Sequence, residues 1–137
     1  MRDNRGFISL LGLLLVAALL FFGSSLMLFT QRYQTMGQIH IQTRSMALAA
    51  DSALEYTAQQ LEKGAWQLPL DERQAVLWQK FVLPGQIGQL DTTVVDNQHI
   101  CLSVVMTQDC SYGTLRVQRR GMMRKEENAY VWEGFVH

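Results

Sequence analysis

The chain has 137 residues, 12 basic and 12 acidic, with 48% hydrophobic side chains. That length fits one domain plus an accessory segment. The balanced charge gives no drive towards nucleic acid or towards acidic partners.

The hydrophobic residues are unevenly placed. From Phe7 to Phe29 there are 23 residues without a charged side chain. As a helix this run spans about 35 Å, enough for a hydrocarbon layer of about 30 Å. A cleavable secretory signal has an apolar region of only about 7–15 residues, followed by a small-residue cleavage site. Gly23-Ser24-Ser25 could supply such a site, but Leu26, Met27, Leu28 and Phe29 continue the run beyond it. The pattern therefore predicts a retained transmembrane helix over 7–29. Arg2 and Arg5 precede the run against one acid, Asp3, and the first basic residue beyond it is Arg32. This asymmetry predicts a cytoplasmic N-terminus and an exported remainder.

Residues 30–64 predict a helical continuation. The segment lacks proline and is rich in Ala, Gln, Leu, Met and Glu, all good helix formers. Met36, Ile39, Thr43, Met46, Ala50, Ala53, Leu54 and Leu61 recur at spacings of three and four, with gaps, and form one apolar stripe. Lys63 followed by Gly64 is a stop signal. The stripe contains too much Ala and Thr for a strong coiled-coil seam. Its small residues suit close packing against a sheet or other helices.

Residues 65–137 predict a short helix followed by four strands. Asp71 as N-cap with Gln74 three residues later suggests a helix start. Val76, Leu77, Trp78 and Phe81 would be its apolar anchors, and Pro84-Gly85 its end. Beyond Gly85 the period changes to two. "QLDTTVVD" and "HICLSVVM" flank Asn97-Gln98 as a hairpin, with Ile100, Leu102, Val104 and Met106 on one face. "QDCSYG" reads as a second turn. "TLRVQRR" places Leu115 and Val117 inward and Arg116, Gln118 and Arg120 outward. "KEEN" reads as a third turn and "AYVWEGFVH" as the last strand. The predicted class is α+β, with a long N-terminal helix packed on a four-stranded antiparallel sheet.

No residue pattern points to catalysis. Ser24, Ser25 and Ser103 have no histidine at a suggestive spacing, and no phosphate-binding glycine loop occurs. His40, His99 and His137 are scattered and no C-x-x-C is present, so no metal or cofactor is expected. Arg116, Arg119, Arg120, Arg124 and Lys125 form a basic cluster that could meet DNA, anionic lipid or an acidic subunit. Glu126 and Glu127 follow and partly cancel it, which favours a solvated strand face.

The junction Arg5-Gly6-Phe7, opening the apolar run six residues from the first methionine, resembles the class III signal peptides of type IV pilins and type II secretion pseudopilins. The resemblance implies a leader of residues 1–6, cut after Gly6 on the cytoplasmic face by a prepilin peptidase, and a mature chain beginning at an N-methylated Phe7. It implies a pilin-like fold, with residues 7–29 as membrane helix and later filament core, and 30–64 as spine. The implied partners are other pilins or pseudopilins through the N-terminal helix and an inner-membrane platform protein. Two features depart from the family pattern. The fifth mature position, usually glutamate, is Leu11, as in K-type pseudopilins and some minor pilins, which suggests a minor or initiating subunit. The apolar helix lacks the proline common in pilins, with Gly23-Ser24-Ser25 the only substitute. Cys101 and Cys110 enclose eight residues, and in an exported domain they could form a disulfide worth roughly 2–3 kcal/mol; two free thiols are the alternative. An unprocessed single-pass adaptor of the cell envelope is the rival functional reading, and an exported binding domain behind an ordinary signal is the third. Which machine a pilin-like subunit would serve, whether pilus, type II secretion or DNA uptake, stays open at this level.

Overall fold

The computed structural model describes residues 5–71, 79–127 and 129–136. Helix α1 spans Arg5–Glu62 and is followed by a 3-10 turn at Gln79–Phe81. Strands β1 (Gln86–Val94), β2 (His99–Cys110), β3 (Gly113–Glu126) and β4 (Ala129–Val136) complete the chain. They form one antiparallel sheet in the order β1-β2-β3-β4. The α+β class expected from the residue pattern is thus the observed one. Of the short helix expected between Asp71 and Pro84-Gly85, residues 72–78 lie outside the described residues; its described end is the 3-10 turn Gln79–Phe81.

The chain divides into two compact units, Met1–His40 and Ile41–His137. In the first, the described residues are all helical, and the helix is long and apolar enough near its N-terminus to cross a membrane. Its hydrophobic side chains are exposed all round, from Phe7 to Phe29. Ser24 Oγ donates to the Leu20 carbonyl at 2.8 Å and Thr30 Oγ1 to that of Leu26 at 2.9 Å. These hydroxyls are thereby satisfied within the helix, as an apolar medium requires.

The second unit holds the core. On the helix, Met46, Ala50, Ala53, Leu54, Thr57, Ala58 and Leu61 are buried, at the spacings of three and four that keep one face of a 3.6-residue period inward. They meet Leu102, Val104, Met106, Val117 and Met123 from the sheet, and Trp66 from the segment after the helix. Each fully buried leucine contributes about 1.5–3 kcal/mol over an exposed one. The buried hydroxyl of Thr57 donates back to the Ala53 carbonyl at 2.8 Å, so no polar group is stranded there. The buried stripe begins later than the residue pattern suggested: Met36 is 72% exposed. The helix ends where expected. Gly64 adopts φ +67°, a left-handed conformation that glycine takes without a Cβ penalty, and Ala65 and Trp66 N–H groups close on the Gln60 carbonyl.

The alternation on β2 holds, with Ile100, Leu102, Val104 and Met106 all buried. On β3, Val117 is buried and Leu115 half-buried, while Arg116, Gln118 and Arg120 are exposed. Three strands run further than their patterns suggested, β1 by beginning at Gln86 rather than Gln89. β2 continues through Cys110, and β3 continues to Glu126, past a register shift between Met122 and Met123. Gly121 makes this extension possible. A Cβ built there would lie 1.9 Å from Trp132 Cη2 and 2.5 Å from Cζ3. The six-membered ring of the Trp132 indole, from β4, occupies the space that a side chain at 121 would need, and Phe135 meets the indole edge-on with centroids 5.4 Å apart.

Gly121→Ala must therefore displace the Trp132 ring. The expected loss is at least about 1–3 kcal/mol, the usual cost of overpacking. Chemical denaturation of the full chain checks it. Adding Trp132→Leu should recover part of the loss, a non-additivity expected only if the two residues touch.

Candidate processing and anchoring site

The residues singled out for processing lie in the first turns of α1. Gly6 has no non-neighbouring atom within 4 Å of a built Cβ, so no packing demands glycine there. Phe7 is 69% exposed and Leu11 56% exposed. Backbone N–H groups of a first helical turn lack intrahelical acceptors, and glycine is about 1 kcal/mol poorer than alanine in a helix. The 5–7 junction can therefore unwind at low cost, while the apolar run behind it is held by continuous backbone bonding. Leu11 presents an apolar side chain on a helix with no carboxylate between Phe7 and Phe29.

The cysteine pair corrects the expectation of a disulfide. Cys101 and Cys110 stand on the same strand, β2, nine residues apart. At about 3.3 Å per residue their Cα atoms are separated by roughly 30 Å, against the 4.4–6.8 Å a disulfide needs. Both are free thiols. β2 runs through Gln108 and Asp109 and carries Cys110 away from Cys101. Cys101 lies opposite Met122 on β3. Cys110 Sγ lies 3.4 Å from Gln42 Oε1, which also accepts from the Tyr112 hydroxyl. This pairing ties the β2–β3 turn to α1. Desolvation, and secondarily the bond to Cys110, pushes the Tyr112 phenol above its ordinary range.

The basic cluster is divided by the sheet. Arg119 turns towards α1, with Nε 3.3 Å from Asp51 Oδ1. Arg124 lies on the opposite face, 2.7 Å from Glu126 and 3.7 Å from Glu133. The five cations therefore do not form one surface. Of the histidines, His137 lies outside the described residues and His40 is exposed. No group of three or more metal-ligating side chains occurs among the described residues.

A polar network that the residue pattern did not suggest surrounds His99. Asp96 Oδ1 accepts from the Gln98 and His99 N–H groups at 2.7 and 2.8 Å. His99 Nδ1 lies 2.9 Å from Asp96 Oδ2 and its Nε2 lies 3.8 Å from Glu133 Oε2. The Gln98 N–H bond, then the His99 side chain, hold the Asp96 carboxyl below its ordinary 3.8. The local signal was present in "DNQH", since aspartate followed by such a turn commonly accepts its own downstream N–H groups. The part played by Glu133, from β4, was not.

Comparison with protein-family models, with curated proteins and with solved structures found no match.

Two outcomes follow from this geometry. In the folded, unreduced protein a small thiol reagent should label two cysteines per chain, with no increase on reduction; mass spectrometry of the adducts reads this directly. The second concerns acid. A carboxyl whose folded pKa is depressed adds stability above its unfolded pKa, and that gain is lost as pH falls through the folded value. Asp96→Asn should thus lower the denaturation midpoint at pH 7. The gap between variant and native chain should shrink once pH drops below about 3.8. Denaturation curves at pH 7, 4 and 3 test it.

Proposed function

We propose that this chain is a minor pilin or pseudopilin: a structural, non-enzymatic subunit made as a membrane-anchored precursor and taken into a type IV pilus, a type II secretion pseudopilus or a DNA-uptake filament. The observation that carries the reading is the junction Arg5-Gly6-Phe7, set directly against a 23-residue charge-free run. The α+β architecture, with its long leading helix and four-stranded antiparallel sheet, supports it.

In this reading the precursor sits in the inner membrane with residues 1–6 in the cytoplasm and the sheet domain exported. A prepilin peptidase cuts between Gly6 and Phe7, and Phe7 is N-methylated. Helix 7–29 then leaves lipid for a bundle of like helices, aided by the inner-membrane platform protein. Apolar burial is retained in that exchange because neighbouring helices replace acyl chains. Leu11 gives the subunit its place. A carboxylate inside an apolar span is unfavourable, by up to about 2.5–3.5 kcal/mol at the helix centre on insertion scales, so it is useful only where a neighbour's amine offsets it. A subunit without it docks beneath no earlier amine, but still offers its own amine at Phe7 to one arriving below. That one-sided contact suits a subunit that begins a filament.

Co-expression with a prepilin peptidase tests the proposal. The expected intact mass corresponds to loss of residues 1–6, with methylation at Phe7, and Gly6→Leu should block the cut while leaving membrane insertion unchanged. An uncut chain beside an active peptidase would leave the single-pass adaptor reading in its place. A cut near Ser25 would make the run an ordinary signal.

A further inference from the structure

Helix α1 continues beyond the apolar run as one element. The run ends at Phe29, and the first charged side chain after it is Arg32. Tyr33, one turn beyond Phe29, lies against its ring with centroids 6.1 Å apart and planes at 33°. Tyr33 is 72% exposed and Phe29 66% exposed, so the pair projects outward from the helix. From Arg5 to Arg32 there are 27 residue steps within one helix, about 40 Å along its axis. That distance matches the hydrocarbon layer together with both headgroup zones, about 40–45 Å. With Arg5 in one phosphate layer, Arg32 falls in the other.

The chemistry at the far end fits that layer from both sides. Thr30 turns its hydroxyl back to the Leu26 carbonyl at 2.9 Å and Thr35 to that of Gln31 at 3.0 Å, so neither competes for a headgroup. Phe29 extends the apolar surface to the boundary. Tyr33 is aromatic along its ring and polar at its tip, the profile enriched at membrane interfaces. Arg32 carries a planar fork of donors that matches two phosphate oxygens at once. We infer that Arg32 and Tyr33 bind the phosphodiester of phospholipids on the side opposite Arg5 and thereby fix the depth at which helix 5–40 sits. The ligand is the phosphate itself, so zwitterionic lipid suffices. The inference rests on the helix spanning a membrane and concerns the chain that still carries Arg5, before any cut after Gly6.

The test uses the full chain with Cys101→Ser and Cys110→Ser, reconstituted in phosphatidylcholine vesicles. Single cysteines are placed in turn at positions 26 to 36 and treated with a membrane-impermeant maleimide. Labelling is normalised to that after detergent addition. Positions 26–29 should be protected, positions 34–36 labelled, and the step should fall between 30 and 34. Arg32→Ala with Tyr33→Ala should move the step by about one helical turn, three or four residues; Arg32→Lys with Tyr33→Trp should leave it in place. Vesicles of a neutral glycolipid of matched thickness, lacking phosphate, should move the step in the unsubstituted pair as the double alanine variant does. A step that stays in the alanine variant, or in the glycolipid, overturns the inference while leaving the span intact. Equal labelling at 28 and 36 overturns the membrane span itself.

Discussion

The contact between residues 46–61 of α1 and the sheet sets the terms for the rest of the second unit. A helix and a sheet pack closely only where the facing side chains are small or interlock. Here the helix offers Ala50, Ala53 and Ala58 between Met46, Leu54 and Leu61, and the sheet answers with Leu102, Val104, Met106 and Met123. The cost of that fit appears elsewhere in the strands. β3 must leave Gly121 bare so that Trp132 can cover it, and the register of β4 shifts at Met122/Met123. Arg119, on the same face, meets Asp51 from the helix, so a charge at the rim of the contact has an opposite charge beside it.

Over its first half the same helix has the length and apolar composition to cross a membrane. Between Phe7 and Phe29 it carries no charged side chain and its large apolar side chains are exposed all round. A helix in lipid needs its backbone and hydroxyls satisfied internally, and Ser24 and Thr30 each make such a bond. One secondary-structure element thus carries two compositions: uniform apolarity where the surroundings are isotropic, and a stripe where they are not.

Most of this was legible in local pattern. The charge-free run, the stripe from Met46 and the period-two alternation of β2 each state their surroundings residue by residue. The failures share one cause, which is dependence on distant residues. The strand reading "TLRVQRR" stops at Arg120, and only Trp132, eleven residues beyond Gly121, shows that the glycine is a seat for a ring. Cys101 and Cys110 are near in sequence and far apart in space, because nothing local announces that β2 continues through Gln108 and Asp109. The stripe starts at Met46 and not Met36, since helical periodicity cannot reveal where the packed length of a helix begins. At the candidate processing junction the reverse holds. All of its information lies in consecutive residues, which a linear reading recovers and a folded structure adds little to.

One bond closes the far edge of the sheet. The backbone N–H of Trp132 donates to Glu62 Oε1 at 2.7 Å, across a separation of 70 residues. β1, β2 and β3 can zip in succession through short turns, whose closure costs little entropy, and none of them requires the last strand. Until β4 arrives, however, β3 is itself an edge with unpaired backbone groups, and the gap above Gly121 is uncovered. Exposed edges of this kind are where nascent chains join one another instead of themselves. The eight-residue strand β4 thus does two things for the sheet at once: its indole covers Gly121 and its backbone ties the border to α1.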